Sequence, residues 1–156
     1  MGKKKKLPYP EGTWFAVPLQ GGGFAIGLLA RLDGRGSAFG YFFGPKRNCI
    51  PDIRDIDTLT YKDAIVVALF GDLGLLNGEW PVIGKPSQWD RNEWPLPPFV
   101  RVDEMENKAW MACYSDKLEL LSDEPCDPAL AKTFPEDALW GYGAVEIRLS
   151  SLLKKE

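Results

Sequence analysis

Histidine is absent from the 156 residues of this chain, and its absence narrows the chemistry that the protein can perform. Without an imidazole there is no Ser-His or Cys-His nucleophile pair, and the commonest general base is missing. Cysteine is scarce as well, with Cys49, Cys113 and Cys126 at wide spacing. An odd number of dispersed thiols does not form a disulfide framework, and without histidine these thiols do not build the usual zinc sites. The sequence therefore indicates neither a metal nor any other cofactor.

Long hydrophobic runs are missing too, since no apolar stretch reaches the roughly 18 residues that a membrane-spanning helix needs. The basic residues 1–6 precede a proline-rich segment at residues 7–10, not an apolar core, so they do not form a secretory signal. Three unpaired thiols also suit the reducing cytosol. We therefore expect a cytoplasmic protein without a membrane partner. Residues 1–10 are expected to form a flexible basic tail and residues 11–156 a single domain.

Positive and negative charge are unevenly distributed along a chain of otherwise ordinary composition. Apolar residues make up 45% and charged residues 26%, which suits a globular protein with one buried core. Residues 1–50 carry 8 Lys and Arg against 2 Asp and Glu, whereas residues 51–156 carry 11 against 20. Four of the early cations lie in the basic tail, so the folded part is acidic. An acidic surface disfavours direct nucleic-acid binding and is compatible with a basic protein partner, because opposite charges speed encounter.

The first third of the chain has the pattern of a three-stranded antiparallel meander. Residues 13–19, 24–32 and 37–43 are rich in apolar, β-branched and aromatic side chains, and glycine-containing turns separate them. Pro18 lacks an amide donor, so the first strand is expected to lie at an edge or to end there. Gly27, inside the second segment, predicts a bulge or a sharp bend.

The remainder of the chain is expected to be mainly extended, with a helix at its C-terminal end. Residues 64–70 form a continuous apolar run, which is typical of a central strand covered on both faces. Residues 144–153 fit both the alternation of a strand and the 3.6-residue repeat of a helix, but their Ala, Glu, Arg and Leu content favours a helix. Residues 52–64 fit either a short helix or extended structure. The other predicted elements are a glycine-rich loop at 71–78, strands at 80–84, 99–102, 108–114 and 118–121, and a helical turn at 128–132.

The fold class that this pattern predicts is α+β, mainly β. We expect a strongly bent antiparallel sheet or partial barrel with one or two short helices packed against it.

Three segments have compositions that fit a partner-binding surface. Close carboxylates in the acidic segment, residues 52–57, could bind a hard cation or shift a pKa, but an exposed acidic loop is the simpler interpretation. The tryptophan loop, residues 89–94, mixes tryptophan with both signs of charge, which is typical of interface hot spots, or else its rings form a lid over the core. The third segment is the acidic turn, residues 103–106. The candidate partner-binding residues are Asp52, Asp55, Asp57, Trp89, Asp90, Glu93, Trp94, Asp103 and Glu104.

Several short motifs, taken in their order along the chain, resemble the immunity protein 26 family. The first is a hydrophobic strand ending in Pro-Leu, followed by a glycine turn and an aromatic-x-x-Gly strand. The resemblance runs from about residue 11 to about residue 150. Its motifs lie at residues 14–19, 24–27, 70–74, 77–84, 96–99 and 141–149.

The resemblance implies a bacterial, cytosolic antidote of a polymorphic toxin system, which binds a cognate toxin domain and blocks it. Such toxins are frequently nucleases, and an acidic antidote suits a basic nuclease. The family implies no catalytic residues, and it implies that Trp80 and Gly84 determine the fold. We therefore expect a protein that is not an enzyme.

Two other functions remain compatible with the residues. One is a small SH3-like barrel that captures a peptide in an exposed groove lined by Trp and Tyr. The other is an enzyme that uses carboxylates, with Asp52, Asp55 and Asp72 converging in a deep pocket. The sequence leaves the identity of the toxin and the oligomeric state open.

Overall fold

Runs of apolar, β-branched and aromatic residues separated by glycine turns give the chain a largely extended backbone. The structure is a computed structural model that describes residues 7–86 and 88–154. Its α+β, mainly β class confirms the expectation, and its sheets do not close into a barrel in the described part of the chain. The strands of this part are β1 (Trp14–Pro18), β2 (Phe24–Leu32), β3 (Ser37–Arg47), β4 (Val66–Gly71), β5 (Val82–Gly84), β6 (Phe99–Asp103), β7 (Lys108–Tyr114), β8 (Leu120–Cys126) and β9 (Leu139–Trp140), and its α-helices are α1 (Leu73–Leu76) and α2 (Tyr142–Leu153).

Six strands form the larger sheet, in the order β5-β1-β2-β3-β4-β9. Neighbouring strands are antiparallel except for the parallel pair β4–β9. The predicted meander is confirmed as β1 to β3, and β1 ends at Pro18. The hairpin between β1 and β2 passes through Gly21, Gly22 and Gly23, which all have positive φ angles that glycine adopts without steric cost.

Gly27 makes room for an aromatic ring and does not form the predicted bulge. It lies in regular register opposite Phe15 on β1 and Phe42 on β3, and the register shifts of β2 lie elsewhere. A Cβ atom on Gly27 would lie only 2.3 Å from Cε2 of Phe15. The missing side chain therefore lets the fully buried Phe15 ring pack across its partner strand.

Both faces of the larger sheet are buried, which explains why residues 24–30 of β2 are all apolar. Leu29 belongs to one core cluster, and its neighbour Leu28 belongs to a second cluster on the opposite face. The first cluster contains Val145, Leu149 and Leu153 of α2. The sheet is therefore the middle layer of the fold.

Helix α2 confirms the predicted C-terminal helix. Val145, Leu149 and Leu153 recur every four residues, so they lie on one face of the helix, and each is buried. The indole nitrogen of Trp80 also donates a hydrogen bond to Oε2 of Glu146 at 2.8 Å, which fixes the rotation of the helix against the sheet. In residues 7–86 and 88–154, neither α2 nor any other helix combines the length and the hydrophobicity needed to cross a bilayer.

The opposite face of the larger sheet is covered by irregular segments and by the start of the smaller sheet, β6-β7-β8. Ile56 and Trp94 reach the second core cluster from two different loops. Phe99, the first residue of β6, packs edge-on to Phe39 with ring centroids 5.8 Å apart. Burial decreases along β6 toward Asp103, so the smaller sheet begins at the core and continues away from it.

Three of the predicted elements differ from the structure, and the short parallel strand β9 was not predicted. The strand predicted at residues 118–121 is instead β8, because Leu118 has a φ angle of 62° and belongs to the turn after β7. The loop predicted at residues 71–78 contains the short helix α1. The strand predicted to start at Trp80 begins only at Val82, because the amide of Trp80 donates to the carbonyl of Gly74 in α1.

The amino-terminal tail predicted at residues 1–10 lies partly outside the described residues, which begin at Leu7. Leu7 and Tyr9 are partly buried and pack against the first core cluster. Contact with the folded body is therefore already present at Leu7.

Candidate partner-binding surface

The acidic segment contains a 3₁₀ turn, Ile53–Asp55, that Asp52 caps. Oδ1 of Asp52 accepts hydrogen bonds from the amide of Arg54 at 2.9 Å and from its Nε at 3.1 Å. These two bonds, the guanidinium bond first, hold the pKa of Asp52 below its ordinary value. All three aspartates are exposed to solvent, and Asp52 also stabilises its own turn.

The tryptophan loop acts as a lid, with one ring buried and one half-buried. Trp94 is 6% exposed and packs edge-on to Trp14 and Tyr41, at centroid distances of 5.8 and 5.2 Å. Trp89 stacks on Trp94 with centroids 6.4 Å apart, and a Cβ atom on Gly12 would lie 2.9 Å from the Trp89 ring. Only Trp89 therefore keeps appreciable surface for a partner.

Ion pairs attach the tryptophan loop to distant parts of the chain. Arg91 donates to both carboxylate oxygens of Glu11, at 2.9 and 2.6 Å, and lies 3.3 Å from Asp116. Asp116 also accepts a 2.7 Å hydrogen bond from Nε of Arg31, which is only 3% exposed. The bond to the Arg31 guanidinium holds the pKa of Asp116 below its ordinary value. The loop therefore presents a fixed surface.

Two more candidate carboxylates have a local structural role. Asp90 accepts a hydrogen bond from the amide of Asn92 at 2.9 Å. In the acidic turn, Asp103 accepts from the amides of Met105 and Glu106 at 3.1 and 3.3 Å. These bonds are typical of aspartates that shape turns. Among the described residues, the candidate carboxylates without a side-chain hydrogen bond or ion pair are Asp55, Asp57, Glu93 and Glu104.

The acidic segment and the tryptophan loop are neighbours, whereas the acidic turn lies apart from both. Ile56 and Trp94 pack in the same core cluster. An open cleft of about 420 Å³ is lined by residues 59–62 together with Glu93 and Trp94. The acidic turn starts at the far end of β6, about 13 Å from the core residue Phe99 at the usual rise of a strand. The candidate residues therefore form two patches.

A polar cluster on the smaller sheet was missed by sequence reasoning. Arg101 on β6 donates to both carboxylate oxygens of Asp123 on β8 at 2.7 Å, and its guanidinium lies 5.3 Å from the Trp110 ring centre. Asp137 accepts from Arg101 at 3.1 Å and from the Tyr114 hydroxyl at 2.5 Å. Burial, reinforced by this bond to Asp137, raises the pKa of Tyr114. No local signal exists for these contacts, because only strand pairing brings their partners together.

The carboxylates that the alternative enzyme would need lie in different parts of the fold. Asp52 and Asp55 are exposed and follow the carboxyl end of β3. The amide of Asp72, a buried residue, donates to the carbonyl of Gly36, beside the opposite end of that strand. Among the residues that the structure describes, no group of three or more Cys, Asp or Glu side chains is placed to hold a metal ion.

The comparisons with known proteins give one match. The sequence model of the family described as immunity protein 26 matches residues 10–111, from the segment before β1 into β7. Neither the comparison with curated proteins nor that with solved structures finds a match. The matched residues make up more than half of the chain and confirm the resemblance over that range, whereas the motif at residues 141–149 lies outside it. The chain therefore belongs to the immunity protein 26 family.

Proposed function

We propose that this protein binds a cognate toxin domain of a polymorphic toxin system and neutralises it by covering its functional surface. The family match over residues 10–111 is the observation that carries the proposal. The protein acts in the bacterial cytoplasm in this proposal, where it meets the toxin. It holds the toxin by noncovalent contact and performs no chemistry on it.

The charge of the folded body supports a basic partner. Residues 7–154 carry 14 Lys and Arg against 21 Asp and Glu. Nucleases need basic surfaces to hold phosphates, so a toxin of that class would be complementary in charge. Complementary charge mainly increases the association rate and the specificity.

The proposed contacts are the candidate residues that keep accessible surface and whose side chains make no hydrogen bond within the described chain. Trp94 is excluded because its ring packs in the core. The capping aspartates, Asp52, Asp90 and Asp103, shape the surface on which their neighbours lie. The proposed direct contacts are Asp55, Asp57, Trp89, Glu93 and Glu104.

A peptide-binding role has weaker support. The cleft beside Trp94 exposes one aromatic ring, that of Tyr61 at 42%, while the Trp94 ring is buried. The sheets do not close into the barrel that an SH3-like module would need in the described part of the chain.

Co-expression tests the proposed function. The chain would be produced in a bacterial host together with each toxin domain encoded in its own genome, and growth would be measured with and without the chain. We expect it to restore growth against one of these toxins and to form a stable complex with that toxin after purification. Restoration against none of them would contradict the proposal.

Two controls separate binding from other routes to survival. A version of the gene with an early stop codon should not restore growth. The intact mass of the toxin recovered from the complex should be unchanged, because a mass change would indicate that the chain modifies the toxin enzymatically.

A further inference from the structure

We propose that the outer edge of β8 is the docking site for a basic, extended segment of the toxin, which adds to the smaller sheet as a fourth strand. This inference rests on the proposed function and adds the β8 edge to the contacts proposed above.

The open edge of β8 is the first observation. The smaller sheet has the order β6-β7-β8, and in residues 7–86 and 88–154 no strand pairs with the outer side of β8. Its other edge is occupied, because the amide of Val100 on β6 donates to the carbonyl of Pro135 and the amide of Asp137 donates to the carbonyl of Val100. The edge strands of the larger sheet, β5 and β9, are only three and two residues long. The seven-residue β8 is therefore the longest open edge described.

Exposed apolar side chains lie along this edge. Leu120 and Leu121, at the start of β8, are 56% and 69% exposed. An open strand edge with apolar side chains readily pairs with another chain, and natural proteins usually protect such edges. Asp123, Glu124 and Pro125 protect the second half of β8 in this way, whereas Leu120 and Leu121 at its start are exposed apolar surface that a partner would bury.

The charge of the smaller sheet selects the partner. Residues 99–127 carry eight Asp and Glu against three Lys and Arg, so this region has a clear excess of negative charge. Glu119 and Glu124 flank the leucines, and Glu104 belongs to the exposed turn between β6 and β7. Like charges on opposed strands are destabilising and opposite charges are favourable. The edge therefore disfavours a second copy of itself and accepts a strand rich in Lys or Arg.

The backbone geometry indicates which amide the partner would engage. Pro125 lies opposite Trp110 and has no amide hydrogen. These two residues therefore fit a non-hydrogen-bonded pair, in which the backbone groups of the β8 residue face away from β7. Asp123 lies two residues earlier in continuous register, so its amide also faces outward. That amide is available to an added strand, which is the main-chain contact used in strand addition.

The test uses the toxin domain identified by co-expression, with the full chain. Leu120→Ser combined with Leu121→Ser should raise the dissociation constant of the complex at least about tenfold, because the apolar contact of these two side chains with the toxin is lost. Glu119→Lys combined with Glu124→Lys should slow association about tenfold at low salt. The controls are Leu152→Ser on α2, where the leucine is 51% exposed, and Glu79→Lys between α1 and β5, and both should bind normally. Urea unfolding of every variant identifies any that fail to fold.

Hydrogen exchange supplies the backbone measurement. The amide of Asp123 should become protected in the complex and remain fast in the free chain. Neutralisation and affinity unchanged in both β8 variants would overturn the docking site and leave the proposed function intact. Failure of the unmodified chain to neutralise any toxin would defeat the proposed function and this site together. A dimer of the free chain that protects Asp123 would also overturn the proposal, because a second copy would then occupy the edge.

Discussion

Single atoms decide how closely the aromatic core of the larger sheet can pack. The Phe15 ring lies against the bare backbone of Gly27 and stacks on Trp80 with centroids 5.5 Å apart. Gly40 on β3 is similarly close to Phe70, since a Cβ atom there would lie 2.8 Å from that ring. These glycines occupy strand positions because the neighbouring rings use their space.

Gly27→Ala should therefore destabilise the protein by about 1–3 kcal/mol, the usual cost of overpacking a core. The added methyl group would overlap the Phe15 ring. Gly71→Ala is the matched control, because it is also a strand glycine and its Cβ would have no neighbour nearer than 3.9 Å. We expect that control to change stability by less than about 1 kcal/mol in urea unfolding. Equal stability of the two variants would contradict this account of Gly27.

Asp116→Asn should lower stability at pH 7 by about 1–2 kcal/mol, since it leaves the buried Arg31 guanidinium without its counter-charge. The figure is kept small because Asp116 is 49% exposed and solvent screens part of the attraction. The folded pKa of Asp116 lies below its ordinary value of 3.8, so the stabilisation is fully present well above pH 3.8. It is lost as the pH falls through the folded pKa.

Urea unfolding of Asp116→Asn at pH 7 and below pH 3.8 checks this linkage. The stability difference from the unmodified chain should shrink on acidification. Asp123→Asn serves as a control in an ion pair whose arginine is exposed, and we expect it to change stability little at pH 7. A difference that stays constant with pH would show that the Asp116 carboxylate does not contribute through its charge.

The candidate site could be predicted from the sequence only in part, and the tryptophans show why. The composition of the tryptophan loop fits both a hot spot and a lid. Which ring is buried depends on Trp14 and Tyr41, which lie on other strands. The charges of the loop are equally ambiguous, because Arg91 finds its partner in Glu11, 80 residues away.

At the scale of elements, α2 is the cover of one face of the larger sheet. Its contacts reach β3, β4 and α1, and the side chain of Ser150 accepts a hydrogen bond from the amide of Gln20 at 2.9 Å. Removal of its apolar face would expose the first core cluster to water.

Leu149→Ala should cost about 2–5 kcal/mol, because the Leu149 side chain is fully buried and its loss leaves a cavity. Leu152→Ala changes the same residue type in the same helix at a position that is 51% exposed. Helix propensity therefore cancels in the comparison, and we expect this control to lose less than about 1 kcal/mol. Similar losses in both variants, measured by urea or thermal unfolding, would show that α2 is not anchored through Leu149.

The elements that sequence predicts best are those with local signals. The strands β1 to β3 combine apolar residues with glycine turns. The bounds predicted for β2 are correct and those for β1 are one residue too wide at each end, whereas β3 continues four residues past its predicted end. In β8, by contrast, Asp123, Glu124 and Pro125 all have low strand propensity. These residues are extended because they pair with β7, and the sequence of the segment alone does not predict that pairing.

At the scale of the whole molecule, negative charge on two patches should steer a basic toxin to the surface. Asp55→Lys combined with Asp57→Lys should slow association at low salt by about 3- to 10-fold without changing the fold, because both carboxylates are exposed. Asp52 is left intact because it caps the turn.

Stopped-flow binding at several ionic strengths checks this effect. The difference between the variant and the unmodified chain should vanish at high salt, since screening removes long-range attraction. The control is the single variant Glu79→Lys. A second control reversal at Asp33 is avoided, because Asp33 accepts two backbone hydrogen bonds. An unchanged rate and salt dependence in the double variant would exclude the acidic segment from the encounter surface.

The covering of the larger sheet by remote segments has a consequence for the kinetics of folding. The hydrogen bond between Trp80 and Glu146 joins residues 66 apart, and that between Gln20 and Ser150 joins residues 130 apart. Chains dominated by such non-local contacts fold in milliseconds to seconds, not microseconds. Until those contacts form, the larger sheet of a newly synthesised molecule is uncovered and its binding surface is incomplete. In the proposed role, resistance would therefore depend on a reserve of mature molecules made before the toxin arrives.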